Sequence, residues 1–154
     1  ECRRFLFVAM INMLDFAERL EELMFERELN MQTLAKTAGV SRATVNRYLL
    51  EQLLPSVGAA MKLADQFNCS VDYLLGRTDD TPESFLPCPP FGERLRFLLE
   101  QYRCTQYRLC VYGKFAPSTV RNWLLGIHVP SMDNVLKLAD FFDCSADYVL
   151  GREK

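Results

Sequence analysis

Apolar residues recur along this chain at helical spacing, and the whole pattern occurs twice. Phe16, Leu20 and Leu23, with Arg27 next in register, follow the i, i+4, i+7 spacing of one helical face. Phe91, Leu95 and Leu98, with Tyr102, repeat it 75 residues later. Asn30 and Thr105 are natural N-caps for a second helix, with inward faces Leu34 and Ala38 or Leu109 and Gly113. Gly39 ends that helix and Ser41 can cap a third, whereas in the second copy Pro117 stands at a first helical position. Pro55-Ser56 and Pro130-Ser131 open a fourth helix. Its buried stripe is Val57, Ala60, Met61 and Ala64, or Met132, Val135, Leu136 and Ala139. Ser70 and Ser145 cap a last short helix ending at Gly76 and Gly151. No alternating pattern of the strand type competes, so each copy reads as five short helices and the fold class is all-α.

Phe16–Arg77 lies over Phe91–Arg152 without a gap, with about two dozen of 62 positions identical. A period so long is not one supersecondary unit but a small domain with its own core. The expected organisation is an apolar N-terminal arm or helix at 1–15, a domain at 16–77, a linker at 78–90 and a second domain at 91–154. The arm has only about ten apolar residues, too few to span a bilayer. The linker TDDTPESFLPCPP holds four of the seven prolines together with acidic residues, so it is expected to be extended and semi-stiff.

Within each copy the second and third helices carry the informative chemistry. In LAKTAGVSRATVNRY a short helix stops at Gly39 and restarts at Ser41. Ala35 is small enough for a close crossing, and Val40 and Val45 are expected to face inward. This is the layout of a helix-turn-helix, whose second helix suits the width of the DNA major groove. The outward positions are Ser41, Arg42, Thr44, Asn46 and Arg47 in one copy and Ser118, Thr119, Arg121 and Asn122 in the other. Arginine matches guanine edges or phosphates, asparagine matches adenine, and hydroxyls suit either. Lys36 and Lys114 are candidate phosphate contacts. Tyr48 and Trp123 are expected to be partly buried packing aromatics rather than base-stacking groups.

These residues resemble the lambda-repressor/Cro-like helix-turn-helix domain of the XRE family of bacterial and phage regulators. The first copy carries the likeness in Leu34-Ala35, Gly39-Val40-Ser41-Arg42, Thr44-Val45, Pro55-Ser56 and Leu63-Ala64-Asp65…Ser70-Val-Asp-Tyr-Leu-Leu-Gly76. The second keeps Thr119-Val120, Pro130-Ser131 and Leu138-Ala139-Asp140…Ser145-Ala-Asp-Tyr-Val-Leu-Gly151. The resemblance implies two lambda-repressor-like five-helix helix-turn-helix domains in tandem. It implies a sequence-specific transcription regulator of repressor type, reading double-stranded DNA with one recognition helix per domain. It also implies a glutamine opening the second helix. Gln106 holds that place in the second copy, while the first has Met31 with Gln32 one step along. The family's loop after the recognition helix is usually polar and basic, but Leu50, Leu53 and Leu54 make it apolar here. They are expected to pack on the other copy or on a second chain. The alternative reading is a protein-interaction module that keeps the fold with DNA binding weakened or lost in one or both copies.

Composition narrows this further. Hydrophobic residues at 49% and charged residues at 25% are ordinary for a globular chain. The net charge of −2 hides a local pattern. Between Leu29 and Leu54 the charge is +2, and between Cys104 and Val129 it is +3 with no acidic residue. The acidic residues concentrate on the first and fourth helices, which leaves room for a DNA-facing patch. Cys69 and Cys144 take the same place in both copies and read as small buried hydrophobes of a reducing compartment, while Cys88 in the linker is expected to be exposed. With one histidine and no ligand pair at zinc spacing, no metal or other cofactor is expected. His128 reads as a loop residue. No nucleophile–base pair, paired carboxylates or glycine-rich phosphate loop is present, so neither enzyme activity nor a small-molecule substrate is expected. Duplex DNA is the expected partner, a homodimer is a further option, and no membrane association is foreseen. The expected location is the cytoplasm, at the bacterial nucleoid.

Overall fold

The computed structural model describes residues 13–153. The expected arm at 1–15 therefore lies outside the described residues except for Met13, Leu14 and Asp15, which open the first helix. The helices of the first half are α1 (Met13–Glu26), α2 (Met31–Ala38), α3 (Arg42–Leu49), α4 (Val57–Phe67) and α5 (Val71–Leu74). Those of the second are α6 (Phe91–Gln101), α7 (Gln106–Gly113), α8 (Pro117–Leu124), α9 (Met132–Phe142) and α10 (Ala146–Leu150). Among the described residues there is no strand. Two compact units result, one ending at Ser84 and the other beginning at Phe85.

Helix starts follow from side-chain capping. Asn30, Ser41, Ser56, Ser70, Thr105, Ser131 and Ser145 each accept a hydrogen bond from the backbone N–H three residues on, at 2.9–3.3 Å. Each cap satisfies one of the amide donors a helix leaves open, worth about 1 kcal/mol. α8 is the exception among the recognition helices: Ala116 stands at its N-cap without a side-chain bond, and Pro117 instead supplies preset helical geometry.

In the first unit α2 packs on α3 and α4, and α1 packs on α3 and α5. Phe16, Leu20, Leu34, Val45, Leu63 and Leu74 are fully buried between them. In the second unit α6 packs on α8 and α10, while α9 packs on α7 and α10. Leu95, Leu98, Leu109, Val135, Leu138 and Val149 fill that core. Burying each such side chain is worth about 1.5–3 kcal/mol, set against the entropy of ordering the chain. Three expected inward positions are shallower. Met61, Val40 and Gly113 are only half-buried. Arg27 falls just past the end of α1 and donates from Nη2 to the Phe67 carbonyl at 3.2 Å.

The segment expected to link the copies is attached at both ends. Thr81 Oγ1 accepts from the Ser70 amide at 2.9 Å, and Asp79 takes Arg19 at 2.9 Å, both within the first unit. Leu86 N donates to the Arg152 carbonyl at 2.8 Å, and Phe85 lies 4.5 Å beneath the Arg152 guanidinium, both within the second.

Candidate nucleic-acid interface

Each recognition helix is seated by an aromatic pair. Tyr48 of α3 meets Phe16 of α1 edge-on at 5.6 Å, and Trp123 of α8 meets Phe91 of α6 at 6.1 Å. Phe115 closes on Trp123 from the other side at 5.4 Å. Tyr48 and Trp123 are 2% exposed, deeper than the partial burial expected, so neither has a face to offer a base. Burial also pushes the Tyr48 phenol above its ordinary pKa, because the ionised form would lose its water. With Val45 and Val120 buried on the same side, the opposite side of each helix is fixed outward.

On α3 that outward side holds exposed Arg42, Asn46 and Arg47, with Thr44 half-buried. The Ser41 and Thr44 hydroxyls bond each other at 2.9 Å as part of the helix cap, so they serve the start of α3 first. Gln32 and Lys36 are exposed on α2, which packs against α3. On α8, Ser118 and Arg121 are exposed while Thr119 and Asn122 are half-buried. Two open cavities bring some of these side chains together. One, of about 550 Å³, has Gln106 and Arg121 on its wall with Arg96 and Leu125. The other, of about 540 Å³, is lined by Pro117, Ser118, Arg121, Asn122, Leu125 and Ile127. Thr119 and Lys114 border neither.

The arginines divide by what they touch. Arg19, Arg77 and Arg152 pair with Asp79, Asp72 and Asp147. Arg94 donates to the Tyr148 carbonyl and Arg96 to the Leu124 carbonyl at 2.6 Å, cations placed where helix C-termini leave carbonyls open. Lys36, Arg42, Arg47, Lys114 and Arg121 form no ion pair with a described residue. The cations on the outward side of the two motifs are thus among those that form no ion pair with a described residue.

Backbone geometry adds a difference between the copies that sequence reasoning missed. Two left-handed positions flank each recognition helix. The first copy has Gly39 (φ 68°) before α3 and Glu51 (φ 59°) after it; the second has Lys114 (φ 57°) before α8 and Gly126 (φ 71°) after it. A residue with a Cβ is strained there by about 1 kcal/mol, so glycine is the low-cost choice and Glu51 and Lys114 are not. The 75-residue register could have shown the exchange, but only the φ angles give it a meaning.

A helix-turn-helix family model matches the chain twice, over residues 20–74 and 95–149. The chain belongs to the XRE-type helix-turn-helix family. Each XRE-type match contains one complete motif, α2–turn–α3 or α7–turn–α8. Over 65 residues, 42% of its length, the chain is 34% identical to the uncharacterized HTH-type transcriptional regulator YobD of Bacillus subtilis (strain 168). It spans 58% of that relative's length. No solved structure matches it.

The remaining expectations concern the loops and the cysteines. Leu50 is exposed, and Leu53 and Leu54 are half-buried. Cys69 is buried and Cys88 exposed, but Cys144 is only half-buried, beside Tyr102. Burial raises the Cys104 thiol above its usual pKa, against the lowering influence of Arg108. His128 is exposed in the loop after α8. Among the described residues no three His, Cys, Asp or Glu side chains gather as a metal site requires. No described helix is long and apolar enough to cross a membrane.

Proposed function

We propose that this chain is a sequence-specific DNA-binding transcription regulator of repressor type, reading the major groove of double-stranded DNA with α3 and α8. One observation carries the reading. On both recognition helices the buried side is fully used for packing, and the outward side bears arginine, asparagine and hydroxyl groups without ion-pair partners. The name of the Bacillus relative, an HTH-type transcriptional regulator, agrees with it. Arg42, Asn46 and Arg47 would read bases from the first unit and Ser118, Arg121 and Asn122 from the second. Gln32, Lys36, Gln106 and Lys114 would hold phosphates, with Ser41, Thr44 and Thr119 close to the backbone. Lys114 fits this role, because it is a lysine in a strained left-handed position where glycine would relax the chain.

The two heads are unequal. The left-handed positions sum to −1 in the first copy and +1 in the second, from Gly39 and Glu51 against Lys114 and Gly126. The second unit is therefore the stronger electrostatic partner, and the preferred operator is asymmetric.

The deciding experiment is selection from a random duplex pool with the full chain at low salt. A discrete sequence should be enriched, and Arg121→Ala or the double variant Arg42→Ala/Arg47→Ala should weaken binding to it by about tenfold or more. Absence of any enriched sequence, or unchanged binding by all these variants, defeats the reading. The exposed Leu50 beside half-buried Leu53 and Leu54 favours one alternative, an interaction surface for a second copy or another protein. Failure of DNA selection together with self-association sensitive to Leu50→Ser would support that alternative.

A further inference from the structure

We propose that Ile127 makes the second unit a reader of thymine, through apolar contact with the C5-methyl group; this rests on the DNA-binding reading above. The groove beside α8 has a mixed wall. Ser118, Arg121 and Asn122 offer hydrogen bonds, while Pro117, Leu125 and Ile127 offer only carbon. Leu125 and Ile127 are 58% and 59% exposed, so their carbon faces solvent rather than the core. Along the major groove each base pair presents donors and acceptors, and thymine alone adds an apolar group. A wall that combines the two chemistries suits a thymine among hydrogen-bonding base edges. Charge decides the occupant: Arg121 lies in this groove, and from Cys104 to Val129 there are three cations and no acidic residue. A polyanion fits here better than an apolar peptide.

The backbone of Ile127 is fixed on α8. Its amide donates to the Asn122 carbonyl at 2.9 Å, tying the loop back onto α8, and Gly126 at φ 71° makes the reversal. The same backbone bond exists in the first unit, where the Gln52 amide donates to the Arg47 carbonyl at 2.9 Å. There the position holds an amide side chain instead of a hydrocarbon, so this contact with thymine belongs to the second unit alone.

Thymine-to-uracil replacement tests this with the full chain, because it removes one methyl and leaves base pairing intact. In the duplex enriched by selection, each thymine is replaced in turn by deoxyuridine and affinity is measured. One position should lose about fourfold, the worth of one buried methyl. Ile127→Ala and Ile127→Gln should bind the thymine and uracil duplexes equally. Uracil accepted without loss at every position, or discrimination surviving in both variants, overturns the assignment while leaving DNA binding standing. If no duplex is enriched, the DNA-binding reading fails and this inference fails with it.

Discussion

Arg152 and Asp147 form a fully buried ion pair, Nη1 to Oδ1 at 2.7 Å, at the end of the second unit. Their counterparts 75 residues earlier, Arg77 and Asp72, stand 3.4 Å apart and are partly exposed. The repeated Asp-Tyr…Gly-Arg ending is therefore a structural clasp. Its Arg152 carbonyl also takes the Leu86 amide, and its guanidinium covers Phe85, so the clasp anchors the incoming segment.

Removing one member of a buried pair strands the other charge without water. Asp147→Asn should lower stability by about 3–5 kcal/mol. Asp72→Asn, with a longer and wetter pair, should cost about 1–2 kcal/mol. Trp123 is the one tryptophan of the chain and belongs to the second unit, so its fluorescence during urea unfolding reports the larger loss directly. Equal effects of the two variants would contradict the difference in burial.

The cap asymmetry gives a prediction of opposite sign in the two copies. Ser41→Ala should cost about 1 kcal/mol, because the Thr44 amide loses its side-chain partner. Ala116→Ser should gain about 0.5–1 kcal/mol by supplying the missing cap to α8. Urea midpoints of the two variants, one down and one up, check it.

Glu51 is strained, and under the proposed DNA-binding function it carries the wrong charge for a neighbouring phosphate. Glu51→Gly should stabilise the first unit by about 0.5–1 kcal/mol. The same change should tighten binding to the selected duplex, with the gain shrinking as salt rises. Unchanged affinity at low salt would place Glu51 away from the DNA path.

Alkaline stability depends on Tyr48. Its pKa is raised in the folded chain by burial, so the folded state holds its proton more tightly than the unfolded state does. The associated stability is complete below the unfolded value of about 10 and is lost as pH rises through the folded value. Tyr48→Phe should flatten that alkaline decline, as measured by urea unfolding between about pH 9 and 11.

Much of the candidate interface was legible beforehand because it depends on neighbours in sequence. Asn30, Ser41 and Thr105 could be assigned as caps since each acts three residues away, and Gly39 as a stop since its left-handed turn is local. Arg42, Asn46, Arg47 and Arg121 could be placed outward once Val45 and Val120 were placed inward, one helical period deciding both. The groove containing Ile127 was not legible, because it forms where the loop after α8 folds back on the helix.

The repeat with which the chain announces itself has thus divided into two kinds of information. Helix positions, capping residues and the 75-residue register are written locally, through hydrogen bonds and apolar spacing within about four residues. The reasons for the repeated FxERL and Asp-Tyr…Arg residues needed the folded chain. Arg19 lies 3.9 Å over Tyr73 and Arg94 lies 4.6 Å over Tyr148, partners that chain order keeps far apart. The depth of Trp123 and the tight Arg152–Asp147 clasp are of the same kind. Each is fixed by distances and dihedral angles that arise only when separate helices pack, and residue types do not encode those distances locally.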